Sequence, residues 1–399
     1  MKSHLSSVKR FIAFIVIFAV FSQSVSASIW NVDTNADTDP NTCVANEADN
    51  DDDCTFRDAV SQLVAGDTIR FLENETITNT SSATNPYTIT QNTVTVDGQT
   101  GGYTIQVDGG GLGSGSSYSL LKASGTDYTQ KGLYMYNYNG NLVELSPTAT
   151  SANVNNNVLG LNSVGGGTGA NQAALKTSAR NVTVQSNVLS NSGKGLFITA
   201  ATTYADTAVK GNRIGVDGVL SAGVLQSSGG ITDKGNTGQG IDVQGGNFTG
   251  DGSGVEGLTI GGPDAADRNI ISGNESQGIW VRNTASTSGN ITIQNNYIGV
   301  GSDGSTQVAN GTSSSSAAGI LGDDHANLAT VNWTIKDNVI SGNTALSGTA
   351  PGIRALSGGT VTIQGNIIGF KAGGTTALAN TGAGIEVDAG TVTIGTNND

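Results

Sequence analysis

The chain has 399 residues, 58 of them glycine and only 13% charged, and its 18 Lys+Arg against 32 Asp+Glu leave a net charge of −14. No Lys/Arg cluster stands beyond the first ten residues, so the basic footprint of a nucleic-acid binder is missing and an anionic membrane is an equally poor partner. Low charge density with recurrent β-branched triplets also excludes a disordered chain, which is expected to be rich in charge and poor in apolar residues.

Lys9 and Arg10 precede an unbroken apolar run, Phe11 to Phe21, and Val25-Ser26-Ala27 places small residues at its exit. This reads as a secretory signal over residues 1–27. As a membrane anchor the run is too short, because a bilayer core takes roughly 20 residues to cross. With Lys2, Lys9 and Arg10 removed, 15 basic residues face 32 acidic ones, a net −17. The expected location is secreted, extracellular or cell surface, with no transmembrane span after signal removal.

Residues 28–75 read as an N-terminal cap. Ile29-Trp30-Asn31-Val32 is a strand, Asp33 to Asp53 an acidic loop, and Phe56, Val60, Leu63 and Val64 fall at the spacing of a short amphipathic helix. Such a helix would cover the open end of a solenoid, where bare strand edges invite aggregation.

Residues 76–399 carry a degenerate repeat, Asn-x-[Ile/Leu]-[Gly/Ser]. Its asparagines are Asn157, Asn187, Asn212, Asn269, Asn296, Asn338 and Asn366, and the fourth residue alternates Gly, Ser, Gly, Ser, Gly, Ser, Gly. A short strand such as Ile291-Thr292-Ile293 precedes each of several copies, and a Gly-led strand such as Gly278-Ile279-Trp280-Val281 follows a loop. Three short strands per coil of about 25–30 residues predict an all-β right-handed parallel β-helix, a three-sided solenoid. The asparagines are expected to stack at one corner as a ladder, each adopting the left-handed backbone of a tight turn. The spacing of 57 between Asn212 and Asn269 leaves open a hidden coil or a long excursion across Gly218–Thr249.

The cap resembles the "CSLREA" box of secreted bacterial proteins. The box is written here Cys54-Thr55-Phe56-Arg57-Asp58-Ala59-Val60, with Cys43 upstream and Gly66-Asp67-Thr68-Ile69-Arg70-Phe71 downstream. Val94-Thr95-Val96-Asp97-Gly98 and Arg268-Asn269-Ile270-Ile271-Ser272-Gly273-Asn274 are similar to coils common in that family. The resemblance implies a pectate-lyase-like β-helix displayed at the surface, and no settled activity. Export also makes a Cys43–Cys54 disulfide the expected state of the two cysteines, with free thiols as the alternative.

The sequence offers few candidates for chemistry. Asp49, Asp51 and Asp53 in the acidic loop could hold Ca²⁺ through hard oxygen ligands, although they match no fixed calcium loop and a solvated acidic loop reads the same. No other cofactor is implied. Once the signal is removed His325 is the sole histidine, which excludes a His-based metal site, and Asp323-Asp324-His325 reads as a surface loop. Glu386 and Asp388 share one face of a strand and are the best available carboxylate pair for catalysis, though a polar outward face gives the same pattern. Arg282 and Arg354 read as isolated. Tyr134, Tyr136 and Tyr138 alternate along one strand and form either a sugar-stacking platform or a row filling a groove under a loop.

The expectation is therefore a monomeric, adhesin-like or envelope-scaffold protein that binds a glycan or surface polymer without catalysis. A polysaccharide lyase or glycoside hydrolase of pectate-lyase-like fold is the alternative. Thr393-Ile394-Gly395 restarts a segment that continues elsewhere as Thr259-Ile260-Gly261-Gly262, so more coils are expected to follow residue 399.

Overall fold

A computed structural model describes residues 26–36, 43–46, 54–81, 85–113, 115, 117–167, 169–199, 207–245, 247–248, 257–282, 288–322, 331–355, 360–388 and 391–395. Among these residues the chain forms one 13-stranded and two 10-stranded parallel sheets, here sheets I, II and III. Sheet I begins with Ile29–Val32 and Thr68–Phe71 and ends with Thr391–Ile394; sheet II runs from Glu75–Thr78 to Ile367–Ile368; sheet III runs from Tyr87–Ile89 to Ile385–Val387. The chain visits the three in rotation, which makes a right-handed parallel β-helix. Of the signal-peptide reading over residues 1–27, residues 1–25 lie outside the described residues.

Alternation builds the shaft. In Ile279–Arg282 the burial pattern puts Ile279 and Val281 inward and Trp280 and Arg282 outward. Parallel registers then stack inward residues from coil to coil, as Val209 on Ile260 and Ile260 on Ile293. Each fully buried Ile or Val contributes about 1.5–3 kcal/mol, gained only when a neighbouring coil covers it.

Every corner asparagine of the repeat is buried, and the seven form a continuous ladder. Each Nδ2 donates to the Oδ1 of the next coil, from Asn157 to Asn187 at 3.1 Å through Asn338 to Asn366 at 2.9 Å. The left-handed residue is not the ladder asparagine, as expected from sequence, but usually the one before it: Asn156, Ser186, Gly211, Asn295, Asp337 and Gly365 have φ between 53° and 65°. The ladder asparagine must aim its amide inward along the shaft, so the preceding residue takes the turn. Asn212 bonds directly to Asn269, so the interval of 57 residues is one coil with an excursion.

The excursion is a hairpin, Leu220–Ser221 against Val224–Leu225, folded back over sheet II. Leu220 and Leu225 pack on an outward apolar patch of Tyr134, Val158, Leu161 and Val188.

In the cap, helix Phe56–Gln62 starts at Thr55, whose Oγ1 accepts from Asp58 N at 3.0 Å. Phe56 packs on Phe71 and Tyr87 at ring separations of 5.7 and 4.6 Å, which seats the helix against the first coil. A Cys43–Cys54 disulfide ties the loop to it. Three buried aspartates complete the joint: Asp58 accepts from Cys43 N, Asp33 from Cys54 N, and Asp67 from Ser28 N, Val64 N and Trp30 Nε1. Ile29–Val32, read as part of the cap, is also the first strand of sheet I.

Candidate functional site

The outward face of sheet III gathers charged and aromatic side chains. Strand registers place Lys122, Glu144, Lys176, Phe197, Asp242, Trp280, Leu321, Arg354 and Glu386 in one column, one residue per coil. At a coil spacing of about 4.8 Å the column is roughly 40 Å long. It gathers three of the chain's cations, and Lys194 and Arg282 flank it.

Asp242 is the centre of this strip and is fully buried. Lys194 Nζ lies 2.8 Å from its Oδ2, and Arg282 donates from Nε and a terminal NH2 at 3.0 and 3.1 Å. Gln244 Nε2 adds a bond of 3.3 Å. Two cations on one carboxylate leave the cluster net positive, within a strongly acidic chain. The cations also border the aromatic rungs on either side. Lys194 Nζ is 3.8 Å from the Phe197 ring centroid, and the Arg282 guanidinium is 3.5 Å from that of Trp280. Among the described residues, Trp280 Nε1 is buried without a hydrogen-bond partner. Arg282 is thus not isolated, as its sequence context suggested: forty residues separate it from Asp242, but the two lie on adjacent coils.

A second cluster sits further up the column. Glu144 is buried, accepts from Ser119 Oγ at 2.6 Å, and lies between Lys122 at 3.5 Å and Lys176 at 3.8 Å. Glu144 and Asp242 are three rungs apart, roughly 14 Å. That exceeds the ~5–9.5 Å over which two carboxyls act on one glycosidic bond.

Glu386 and Asp388 share a face, and both are turned onto Arg354, at 3.0 and 3.2 Å. Arg354 is therefore also paired, and neither carboxylate faces a second one across an open site. The tyrosines are covered. Tyr134 lies under the hairpin, its hydroxyl taking a bond of 2.7 Å from Leu220 N, and burial pushes that hydroxyl above its ordinary value. Tyr136 is buried and Tyr138 packs in the main core, so no free stacking platform exists there. The excursion from Gly218 onward covers Tyr134, which local sequence could not show. Asp49, Asp51, Asp53 and Asp323-Asp324-His325 lie outside the described residues, and no group of three metal-ligating side chains occurs among the described ones.

The chain is similar in fold to polysaccharide-modifying β-helix proteins. A rhamnogalacturonan lyase matches with 11% identity, 86% of this chain covered and 74% of that one, and a TM-score of 0.44. The A-module of the Azotobacter vinelandii mannuronan C-5 epimerase AlgE4 matches with 13% identity, 84% of each chain and a TM-score of 0.47. Pectate lyase Pel9A matches with 14% identity, 94% and 79% coverage and a TM-score of 0.35. No protein-family model and no curated protein sequence matches the chain. The names these neighbours carry are those of lyases and an epimerase, not of the non-catalytic proteins expected from sequence, and the likeness to this chain is one of fold.

Sequence reading also missed a second ladder. Asn236, Asn274, Asn310, Asn343 and Asn380 are buried and linked Nδ2 to Oδ1 at 2.8–2.9 Å. They sit just before the strands of sheet III and fix where those strands begin. An Asn-x-x-x-Gly pattern at Asn236, Asn274 and Asn380 was the available signal; loops lengthen it at Asn310 and Asn343.

Proposed function

We propose that this protein is a secreted carbohydrate-active enzyme that lays an acidic polysaccharide along the outward face of sheet III, acting as a lyase rather than a hydrolase. The observation that carries this reading is the convergence of Lys194 and Arg282 on buried Asp242 between Phe197 and Trp280. A uronate carboxylate is the group that a net-positive, partly exposed Lys/Arg pair recruits. Neutralising that carboxylate acidifies the adjacent C5–H, the proton a lyase removes. Asp242 is too buried to touch substrate and acts as a positioning residue for the two cations. The two half-exposed rings are two coils apart, roughly 10 Å, a span suited to an extended glycan running with the shaft. The wide separation of Glu144 and Asp242 disfavours the hydrolase alternative. The Cys43–Cys54 bridge supports export to an oxidising compartment.

The test incubates the full chain with polygalacturonate, alginate and a neutral β-glucan and follows the unsaturated-uronate chromophore. Product from an acidic polymer, lost in Arg282→Ala with Lys194→Ala, is expected. Reducing ends without the chromophore would move the reading to a hydrolase.

A further inference from the structure

A cleft on the other side of the shaft gathers two arginines that make no ion pair among the described residues. It lies over sheet II, between the hairpin and the short helical turn Ala265–Asp267, and is lined by Ser186, Arg213, Leu225, Gln226, Ala266 and Arg268, among others. None of its lining side chains is a carboxylate. Arg213 is 6% exposed and donates to Ser228 O at 2.7 Å and Gln226 O at 2.6 Å. Neutral carbonyls satisfy those N–H groups but leave the charge. Asp217 is near enough to favour it, yet lies beyond ion-pair distance, with its Oδ1 occupied by the amides of Gly230, Ile231 and Thr232. Burial holds the guanidinium below its ordinary value, the mark of a desolvated cation.

Arg268 forms the opposite wall. Its guanidinium stacks on Tyr297 at 4.3 Å and donates to Asn295 Oδ1 at 2.7 Å, and among the described residues it too has no carboxylate partner. A stacked, amide-anchored arginine is held in one geometry, so less freedom is lost when it binds. Lys122, Lys131, Lys176, Lys194, Lys210, Arg282 and Arg354 are all paired with carboxylates.

We propose that this cleft is a second, independent binding site for an oxyanion group, carried as a carboxylate or sulfate on a saccharide or present as free phosphate or sulfate. Arg268 supplies the contact and Arg213 the fixed positive field, while the hairpin held by Arg213 forms one wall. The site does not depend on the sheet III reading.

The experiment titrates the full chain with inorganic phosphate, inorganic sulfate, a galacturonate trimer and a neutral glucan oligomer, by calorimetry at low salt. Saturable binding of at least one anionic probe and none of the neutral oligomer is expected, with Kd rising at least tenfold in Arg268→Gln. That variant leaves Arg213 and the hairpin in place, and unchanged circular dichroism and Tm verify its fold. Binding of the trimer alone identifies a saccharide ligand; binding of the inorganic ions as well identifies a general oxyanion site. No binding of any anion, or equal binding by Arg268→Gln, overturns the proposal. Trimer binding that survives Arg268→Gln but is lost in Arg282→Ala with Lys194→Ala overturns it while supporting the sheet III site.

Discussion

Ser272 Oγ accepts from Gly299 N at 2.9 Å and donates to Val300 O at 2.8 Å. The same pair of bonds joins Ser341 to Gly369 N and Phe370 O. This explains why serine and glycine alternate in the repeat. In a glycine coil the backbone turns left, with φ of 86° at Gly215, 89° at Gly299 and 81° at Gly369, and leaves the shaft as an excursion closed by an antiparallel bridge. The serine of the preceding coil holds the base of that excursion.

The glycine is required from the other side as well. A Cβ on Gly299 would lie 2.2 Å from Ser341 O of the following coil. Gly299→Ala is therefore expected to cost several kcal/mol, about 1–2 of it from the left-handed backbone alone. Ser272→Ala, which loses hydrogen bonds but creates no overlap, should cost about 1–2 kcal/mol. Urea unfolding midpoints check the order; a Gly299→Ala chain as stable as Ser272→Ala would refute it.

The ladder makes a prediction about donors. Asn269 Oδ1 accepts from both the backbone N and the Nδ2 of Asn212, and Asn269 Nδ2 donates to Val209 O and Asn296 Oδ1. Asn269→Ala leaves the buried backbone N–H of Asn212 without its acceptor, whereas Asn212 Nδ2 keeps Val184 O and Lys210 O. A loss of about 1–3 kcal/mol is expected, the cost of one unsatisfied buried group. Amide hydrogen exchange should speed up at Asn212 before it does at distant coils, because coils are coupled chiefly to neighbours.

The corner asparagines were legible because their spacing to an inward Ile or Leu is fixed within one coil. The sheet III cluster was not. Phe197, Asp242, Trp280 and Arg282 are adjacent only because Lys194–Thr199 pairs directly with Ile241–Gln244, with the whole hairpin excursion looped out between them. Loop length hides registers from a reading that counts residues. Of the two readings of the tyrosines, Tyr134 follows the groove under a loop, and its cover comes from 86 residues away, at Leu220. Glu386 and Asp388 were correctly placed on one face, yet their shared partner Arg354 sits on the preceding coil.

Asp97 predicts a pH dependence. Burial works to raise its pKa, but hydrogen bonds from the Thr100 side chain and backbone, Lys131 at 3.3 Å and the Gln99 amide outweigh it, so the carboxyl lies below its ordinary 3.8. A lowered folded-state pKa contributes stability above the unfolded value, and that stability is lost as pH falls through the folded value. Wild type should lose Tm on acidification below about pH 4 more steeply than Asp97→Asn. Parallel melting curves at neutral and acid pH decide it, and equal acid slopes would argue that Asp97 is not a stabilising carboxylate.

The disulfide should matter most at the cap. It closes a loop of sequence separation 11, for which the chain-entropy model gives about 2–3 kcal/mol. Cys43→Ser with Cys54→Ser is expected to lower stability by that order. Proteolysis should begin near residues 43–62, whereas a first cut within the central coils would show the cap to be stable without its bridge.

The Asp242 cluster gives the sharpest energetic test, because removing the cations should cost more than removing the anion, and removing both should recover most of the loss. Asp242 has no exposure and depends on Lys194 and Arg282, whose side chains are 25% and 28% exposed. Replacing both cations by methionine keeps much of their apolar volume and strands a buried charge, at an expected cost of about 3–5 kcal/mol. Adding Asp242→Asn to that double variant removes the stranded charge and should restore most of the loss. Asp242→Asn alone frees both cations toward solvent, which already reaches them, and should cost less than the double cation variant. Any activity on an acidic polymer should still fall in Asp242→Asn, because the cations lose the carboxylate that aims them. Denaturation midpoints and initial rates on the same four proteins separate the two effects. If the triple variant is no more stable than the cation double variant, Asp242 is not held as a buried anion.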